Sequence, residues 1–156
     1  MGHHILIVDS NPRLRDLLRE MLTEERADDK IETASSGREA LVTMRRERAD
    51  ILIADWQMPD MDGMTLVELT KALYPNTHAI LLTTADQDEV QERRHHRQIS
   101  FTSFTKPFSI ETFLGHIDQV LTQIAQPTVA HSKAIEDQSN LYESSKSALR
   151  PALGWS

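Results

Sequence analysis

The chain has 156 residues, 39% of them hydrophobic and 26% charged, with a formal net charge of -7 and no cysteine. That length suits one core with an appendage better than two full domains, and no apolar run approaches the roughly 18 residues of a membrane span. The missing cysteines exclude a disulfide framework and thiolate metal sites, and the net acidity argues against a nucleic-acid surface spread over the molecule.

Met1 to His4 run into an apolar pattern without the basic segment, long apolar stretch and small-residue cleavage site of a signal peptide, so a cytoplasmic location is expected. Ile5-Leu6-Ile7-Val8 is a short continuous apolar run, the pattern of a strand buried on both faces of a parallel sheet. Leu14, Leu17, Leu18, Met21 and Leu22 follow at helical spacing, with Asn11 placed as the cap and Pro12 in the first turn. Lys30 to Ala34 is less apolar and fits a flanking strand. A weaker helical stretch spans roughly residues 37–47. Ile51-Leu52-Ile53-Ala54 reads as a second central strand, 63–73 as a helix, and Ala79-Ile80-Leu81-Leu82 as the third central strand.

The stretch 86–98 carries one strong apolar residue, Val90, so it is predicted to be the loosest helix. Phe101 to Thr105 fits the other flanking strand. After Ser109, a candidate cap, Ile110, Phe113, Leu114, Ile117, Val120, Leu121 and Ile124 predict a long final helix. Strand and helix thus alternate five times, which predicts an α/β fold: a doubly wound, five-stranded parallel sheet with helices on both faces. The pattern breaks at Gln126-Pro127. Residues 126–156 hold three acids and three bases, and Leu141, Leu149, Leu153 and Trp155 are too loosely spaced for a second core. A polar tail or truncated linker is expected there.

In an open parallel sheet, ligands bind beyond the carboxyl ends of the strands, where the strand order reverses. Asp9-Ser10, Asp55, Thr83-Thr84 and Lys106-Pro107 follow the first, third, fourth and fifth strands, so carboxylates, a hydroxyl and an ammonium converge on one edge. A carboxylate is a competent nucleophile toward a phosphoryl group. A hard divalent ion on oxygen ligands offsets the charge repulsion, while lysine and threonine hold the transferred oxygens.

The segments ILIVDS, DILIADWQMPDMDG, AILLTTA and FTKPF lie in order, with 46 residues from Asp9 to Asp55, 29 from Asp55 to Thr84 and 22 from Thr84 to Lys106. On these pieces the chain resembles the response-regulator receiver domains of two-component signalling over residues 3–125. The resemblance implies the flavodoxin-like receiver fold and a signalling module rather than a conventional enzyme. By position, Asp55 is implied as the phosphoacceptor, Asp9 as an acid holding Mg2+, the backbone carbonyl of Gln57 as a further metal ligand, Thr84 as the switch hydroxyl and Lys106 as the cation on the phosphoryl group. Gln57 and Asp86 occupy the positions that tune phosphoryl lifetime, and Pro107 is implied to follow a cis peptide. The implied partners are a sensor histidine kinase or phosphotransfer protein and a downstream effector protein, or an effector domain absent from this chain. Neither a membrane nor direct nucleic-acid contact is implied, and a homodimer is left open.

Two positions depart from the family pattern. Ser10 stands where a second acid is usual; its neutral hydroxyl is a weaker Mg2+ ligand, so weaker metal binding is expected. Ser103 stands where an aromatic ring usually turns inward, and Phe101 and Phe104 are both expected on the face opposite Ser103. An alternative reading is therefore a degenerate receiver used for docking or dimerisation. A haloacid dehalogenase-like phosphatase is disfavoured by Gln57, and a Rossmann site by the glycine-free Ser10-Asn11-Pro12.

Other residues invite plainer readings. Asp60 and Asp62 are expected to be solvated loop acids, because the calcium loop pattern is missing. Arg93 to Arg97 reads as a solvated helix face, His3, His4, His95 and His96 as surface histidines, and His78 as structural. Thr84 also suits a helix cap, and Trp56 either gates the site or packs on its loop.

Overall fold

The computed structural model describes residues 2–84 and 86–125. Its elements are β1 (His4–Val8), α1 (Pro12–Glu25), β2 (Lys30–Ala34), α2 (Gly37–Arg46), β3 (Ile51–Asp55), α3 (Gly63–Leu73), β4 (His78–Thr83), α4 (Gln87–Arg97), β5 (Thr102–Thr105) and α5 (Ile110–Ala125). The chain divides into two units after His116, inside α5. The second unit is described only over Ile117 to Ala125, so the expected tail, with Leu141, Leu149, Leu153 and Trp155, lies outside the described residues.

The five strands form one parallel sheet in the order β2-β1-β3-β4-β5. The apolar runs supply its centre: every residue of β1 and β3 is buried, whereas β2 and β5 at the edges are mostly half-buried. Alternation along the strands divides the core. Leu6, Val8, Leu52 and Ala54 pack with Ala40 and Met44 of α2 and Leu66 of α3. Ala79 and Leu81 pack with Met64 and Val67 of α3, Val90 of α4, Trp56 and Phe101. Ile5, Ile7, Ile51 and Ile53 are fully buried on the other side of the sheet, where α1 packs against β1 and β2.

Side-chain caps start the helices where the sequence places short polar residues. Asn11 caps α1, Ser36 caps α2 with Glu39 returning to the Ser35 N–H at 2.9 Å, and the Ser109 hydroxyl accepts from Thr112 N–H at 3.3 Å at the start of α5. Asp62 and Asp86 cap α3 and α4, so the cap before α4 is Asp86 and not Thr84. Asp62 and Asp60 are therefore more than solvated acids: the Asp60 carboxylate accepts from the Gly37 and Arg38 N–H groups of α2 at 3.2 and 2.8 Å. Those backbone donors, Arg38 foremost, hold its pKa below the usual value.

Three expectations need correction. Leu17, placed in the apolar stripe of α1, is 49% exposed, while Leu18 and Leu22 carry the burial. His4 is no surface histidine: it is the first residue of β1 and only 4% exposed. Phe101 and Phe104 also do not share a face. Ser103 pairs with Leu81 and Phe104 with Leu82, and Phe101 joins the cluster containing Leu81 while Phe104 meets Phe113 and His116. Residues two apart in extended chain point the same way, so only Phe104 is opposite Ser103.

Candidate functional site

Asp9 and Asp55 come together because β1 and β3 are sheet neighbours and the strand order reverses between them, with β2 on the far side of β1. Lys106 reaches them from the end of β5: its Nζ lies 2.6 Å from Asp55 Oδ1 and 3.9 Å from Asp9 Oδ2. The loop carrying Lys106 is tied down by its own N–H, which donates to the Thr83 carbonyl at 2.7 Å, and the Lys106–Pro107 peptide is cis.

The Asp9 carboxylate is asymmetric. Oδ1 accepts from Asn11 N–H at 2.8 Å, whereas Oδ2 is buried without a hydrogen-bond partner. Burial pushes the Asp9 pKa up; the Asn11 N–H opposes this, the Asp55 charge adds to it, and Lys106 and Arg15 oppose it. Arg15, one helical turn from the α1 cap, donates to the Asp9 backbone carbonyl at 2.8 Å. A buried carboxylate oxygen that accepts no hydrogen bond and has its nearest ammonium 3.9 Å away is costly, and a closer cation relieves it. The oxygens of Asp9 and Asp55, the Gln57 carbonyl and the Ser10 hydroxyl are all hard donors, so the residues present fit Mg2+.

On the other side of Asp55 the chain turns sharply. Trp56 N–H donates to Leu82 O at 2.9 Å and Gly63 N–H to Trp56 O at 2.7 Å. A Cβ at Gly63 would lie 2.3 Å from the Asp55 carbonyl oxygen and 2.8 Å from Leu81, so only glycine admits this approach. Trp56 is 7% exposed and packs in the core under the loop. Trp56, Gln57, Thr83, Thr84, Glu89 and Arg93 line a cavity of about 270 Å3. Direct contacts thus join Asp9, Asp55 and Lys106, while Thr84 and Gln57 stand in the adjoining cavity. Ser10 is exposed, and Asp86 turns its carboxylate to Glu89 N–H at 2.8 Å.

Arg93 was not singled out by the sequence beyond its place in a basic run. Its guanidinium lies 5.1 Å from the Trp56 ring centroid, and Arg94 stacks on Phe101 at 4.2 Å and donates to the Phe101 carbonyl at 2.7 Å. These two arginines hold α4 to its neighbours; His95 and His96 are exposed.

At the opposite edge of the sheet, His4, Glu32 and Glu47 bring potential ligand atoms within 4.8 Å of one another. The His4 ring is already engaged by Glu32 at 2.6 Å and the Arg48 carbonyl at 3.1 Å, and Lys30 pairs with Glu47 at 2.5 Å and Glu32 at 3.7 Å. The ligand atoms of that group are thus already engaged by one another and by Lys30. His78 lies half-buried, 3.3 Å from both His116 Nε2 and Thr102 Oγ1. Among the described residues, no helix is long and apolar enough to cross a membrane.

The response regulator receiver domain family matches residues 5–118. The chain belongs to that family. It is 35% identical over 127 residues to the transcriptional regulatory protein GlrR of Escherichia coli K12, a match that covers 80% of this chain and 28% of that protein. It is 32% identical over 122 residues to sporulation initiation phosphotransferase F of Bacillus subtilis, covering 78% of this chain and 95% of that one. The chemotaxis protein CheY4 of Vibrio cholerae superposes with a TM-score of 0.68 at 30% identity over 77% of this chain and 99% of its own. The chain therefore spans under a third of the regulator GlrR but nearly all of sporulation initiation phosphotransferase F. It is a receiver domain of two-component response regulators, a family of signalling domains rather than conventional enzymes.

Proposed function

We propose that this receiver domain takes a phosphoryl group on Asp55 from a sensor histidine kinase or phosphotransfer protein and passes the change to a downstream effector. The observation that carries the reading is the Asp55–Lys106 pair at 2.6 Å beside Asp9 Oδ2, which is buried without a hydrogen bond. An Asp55 carboxylate oxygen attacks phosphorus; the bond from phosphorus to the donor histidine nitrogen breaks, and the imidazole keeps the electron pair and takes up a proton. Lys106, held on Asp55, meets the negative charge of the incoming oxygens, and the Thr84 hydroxyl donates to them from the cavity. Asp9, Asp55 and the Gln57 carbonyl would hold Mg2+, with Ser10 as a weaker neutral donor, and the ion would supply charge neutralisation at the phosphoryl oxygens.

Gln57, exposed at the cavity mouth, and Asp86 set how long the acyl phosphate survives. The output surface is the face of α4, β5 and α5. The domain extends over residues 3–125, with 126–156 a polar tail or truncated linker, and it works in the cytoplasm. Population shift between two states of that face requires a partner that prefers one of them.

Incubation with acetyl phosphate and Mg2+, followed by intact-mass measurement, tests this. The expected result is a gain of one phosphoryl group in the wild type and none in Asp55→Asn. An unmodified wild type, or equal modification of both, would contradict the assignment. Ser10→Asp is expected to lower the Mg2+ concentration needed for half-maximal modification.

A further inference from the structure

The ring contacts near the acceptor site differ in what they join. Phe104 is enclosed by Phe108, Phe113 and His116, and Phe101 lies under Arg94. Position 103, on the face of β5 toward Leu81, is serine and brings no ring. The remaining ring, Trp56, is the immediate chain neighbour of Asp55, and the cation stacked on it belongs to α4.

The attachments of α4 make that stack consequential. Among its described residues, Val90 is the buried apolar anchor. Arg94 fastens the helix to the residue before β5, and Arg93 fastens it to the residue after Asp55. Arg93 is held by two weak contacts, the ring face and Glu89 at 3.5 Å, and its side chain is 44% exposed. It lines the same cavity as Thr84 and Gln57. The Trp56 backbone, in contrast, is fixed at both its N–H and its carbonyl.

We propose that the Arg93–Trp56 stack reads out the acceptor site: negative charge arriving on Asp55 draws the Arg93 guanidinium toward the cavity and tightens the hold of α4 on the loop that carries Asp55. The inference rests on Asp55 being the acceptor and adds the element that senses its loading. It requires no aromatic side chain at position 103. Arg93 acts as a positioning residue, through the charge and planarity of its guanidinium, and lysine, which stacks less well, replaces it only in part.

The test uses the full chain, with beryllofluoride and Mg2+ as the phosphoryl mimic. Fluorine NMR of the bound mimic reports loading of Asp55, and amide hydrogen exchange across α4 reports the hold on the helix. In the wild type, loading is expected to slow exchange in α4 by about two- to fivefold, the range of one stacked cation. Arg93→Met should keep the bound fluorine signal, exchange faster in α4 at rest, and lose the response to loading. Arg93→Lys should fall between, and Glu89→Gln, which removes the carboxylate contact but keeps the stack, should respond like the wild type. An undiminished α4 response in Arg93→Met with the mimic bound would overturn the readout while leaving the acceptor role intact. A wild type that binds no mimic would overturn the acceptor role and the readout with it.

Discussion

The third and fourth helices have the same length, 11 residues, and both start at an aspartate cap, yet they are held in different ways. α3 buries Gly63, Met64, Leu66, Val67 and Thr70, whereas α4 sets Val90 into the core and leans on two arginines stacked on aromatic rings. Burial of several apolar side chains admits one packing arrangement, because a close-packed core does not deform continuously. Stacked and hydrogen-bonded arginines can exchange partners at a cost near 1 kcal/mol. The helix whose Arg93 stacks beside Asp55 is thus the one whose attachments can change with charge, while α3 supplies the fixed wall.

The largest effect should come from the fixed side. Leu66→Ala is expected to cost about 2–5 kcal/mol in urea unfolding, and a smaller loss than Val90→Ala in α4 would break the contrast. Acid should also reach the fixed part first. Burial, with the nearby charges of His116 and Lys71, pushes the His78 pKa down to about 4 from 6.5. The unfolded chain therefore binds the proton first, and stability is full above pH 6.5 and falls toward pH 4, by on the order of 3 kcal/mol for this group. His78→Gln should flatten that part of the stability profile.

Asp9 has the opposite sign. Its pKa is raised in the folded state, mainly by burial, so its ionisation opposes folding as pH rises from the ordinary carboxylate value through the folded one. Asp9→Asn should stabilise the metal-free protein at neutral pH by about 1 kcal/mol while weakening Mg2+ binding. An Asp9→Asn protein less stable than the wild type would contradict a cost of burying that carboxylate charge. The smallest effect belongs to α4: Gln98, which ends it, has φ 52°, and Gln98→Gly should stabilise by roughly 0.5 kcal/mol, seen as slower exchange in the last turn of the helix.

The sheet was legible because β1, β3 and β4 are unbroken apolar runs, a signal that needs no tertiary information. Asp9, Asp55 and Lys106 were legible for a related reason: each ends a strand, and parallel strands bring their carboxyl ends to one edge. Arg15 on the Asp9 carbonyl, Asp60 on the α2 N-terminus and Arg93 on Trp56 are contacts between elements, set by distances that leave no period in the sequence. Phe101 was misplaced although residue parity puts it on the side of Ser103. The burial of His4 was not legible because the groups that meet its ring, the Glu32 carboxylate and the Arg48 carbonyl, lie 28 and 44 residues away in the chain.

If Asp55 takes a phosphoryl group, its loading is a charge change that Trp56 and α4 feel. With Trp155 replaced by phenylalanine, so that Trp56 is the remaining indole, fluorescence during titration with Mg2+ and then beryllofluoride puts this to the test. A saturable change with each addition, the second abolished in Asp55→Asn, is the predicted result. An emission that stays flat through millimolar Mg2+ and beryllofluoride would contradict it.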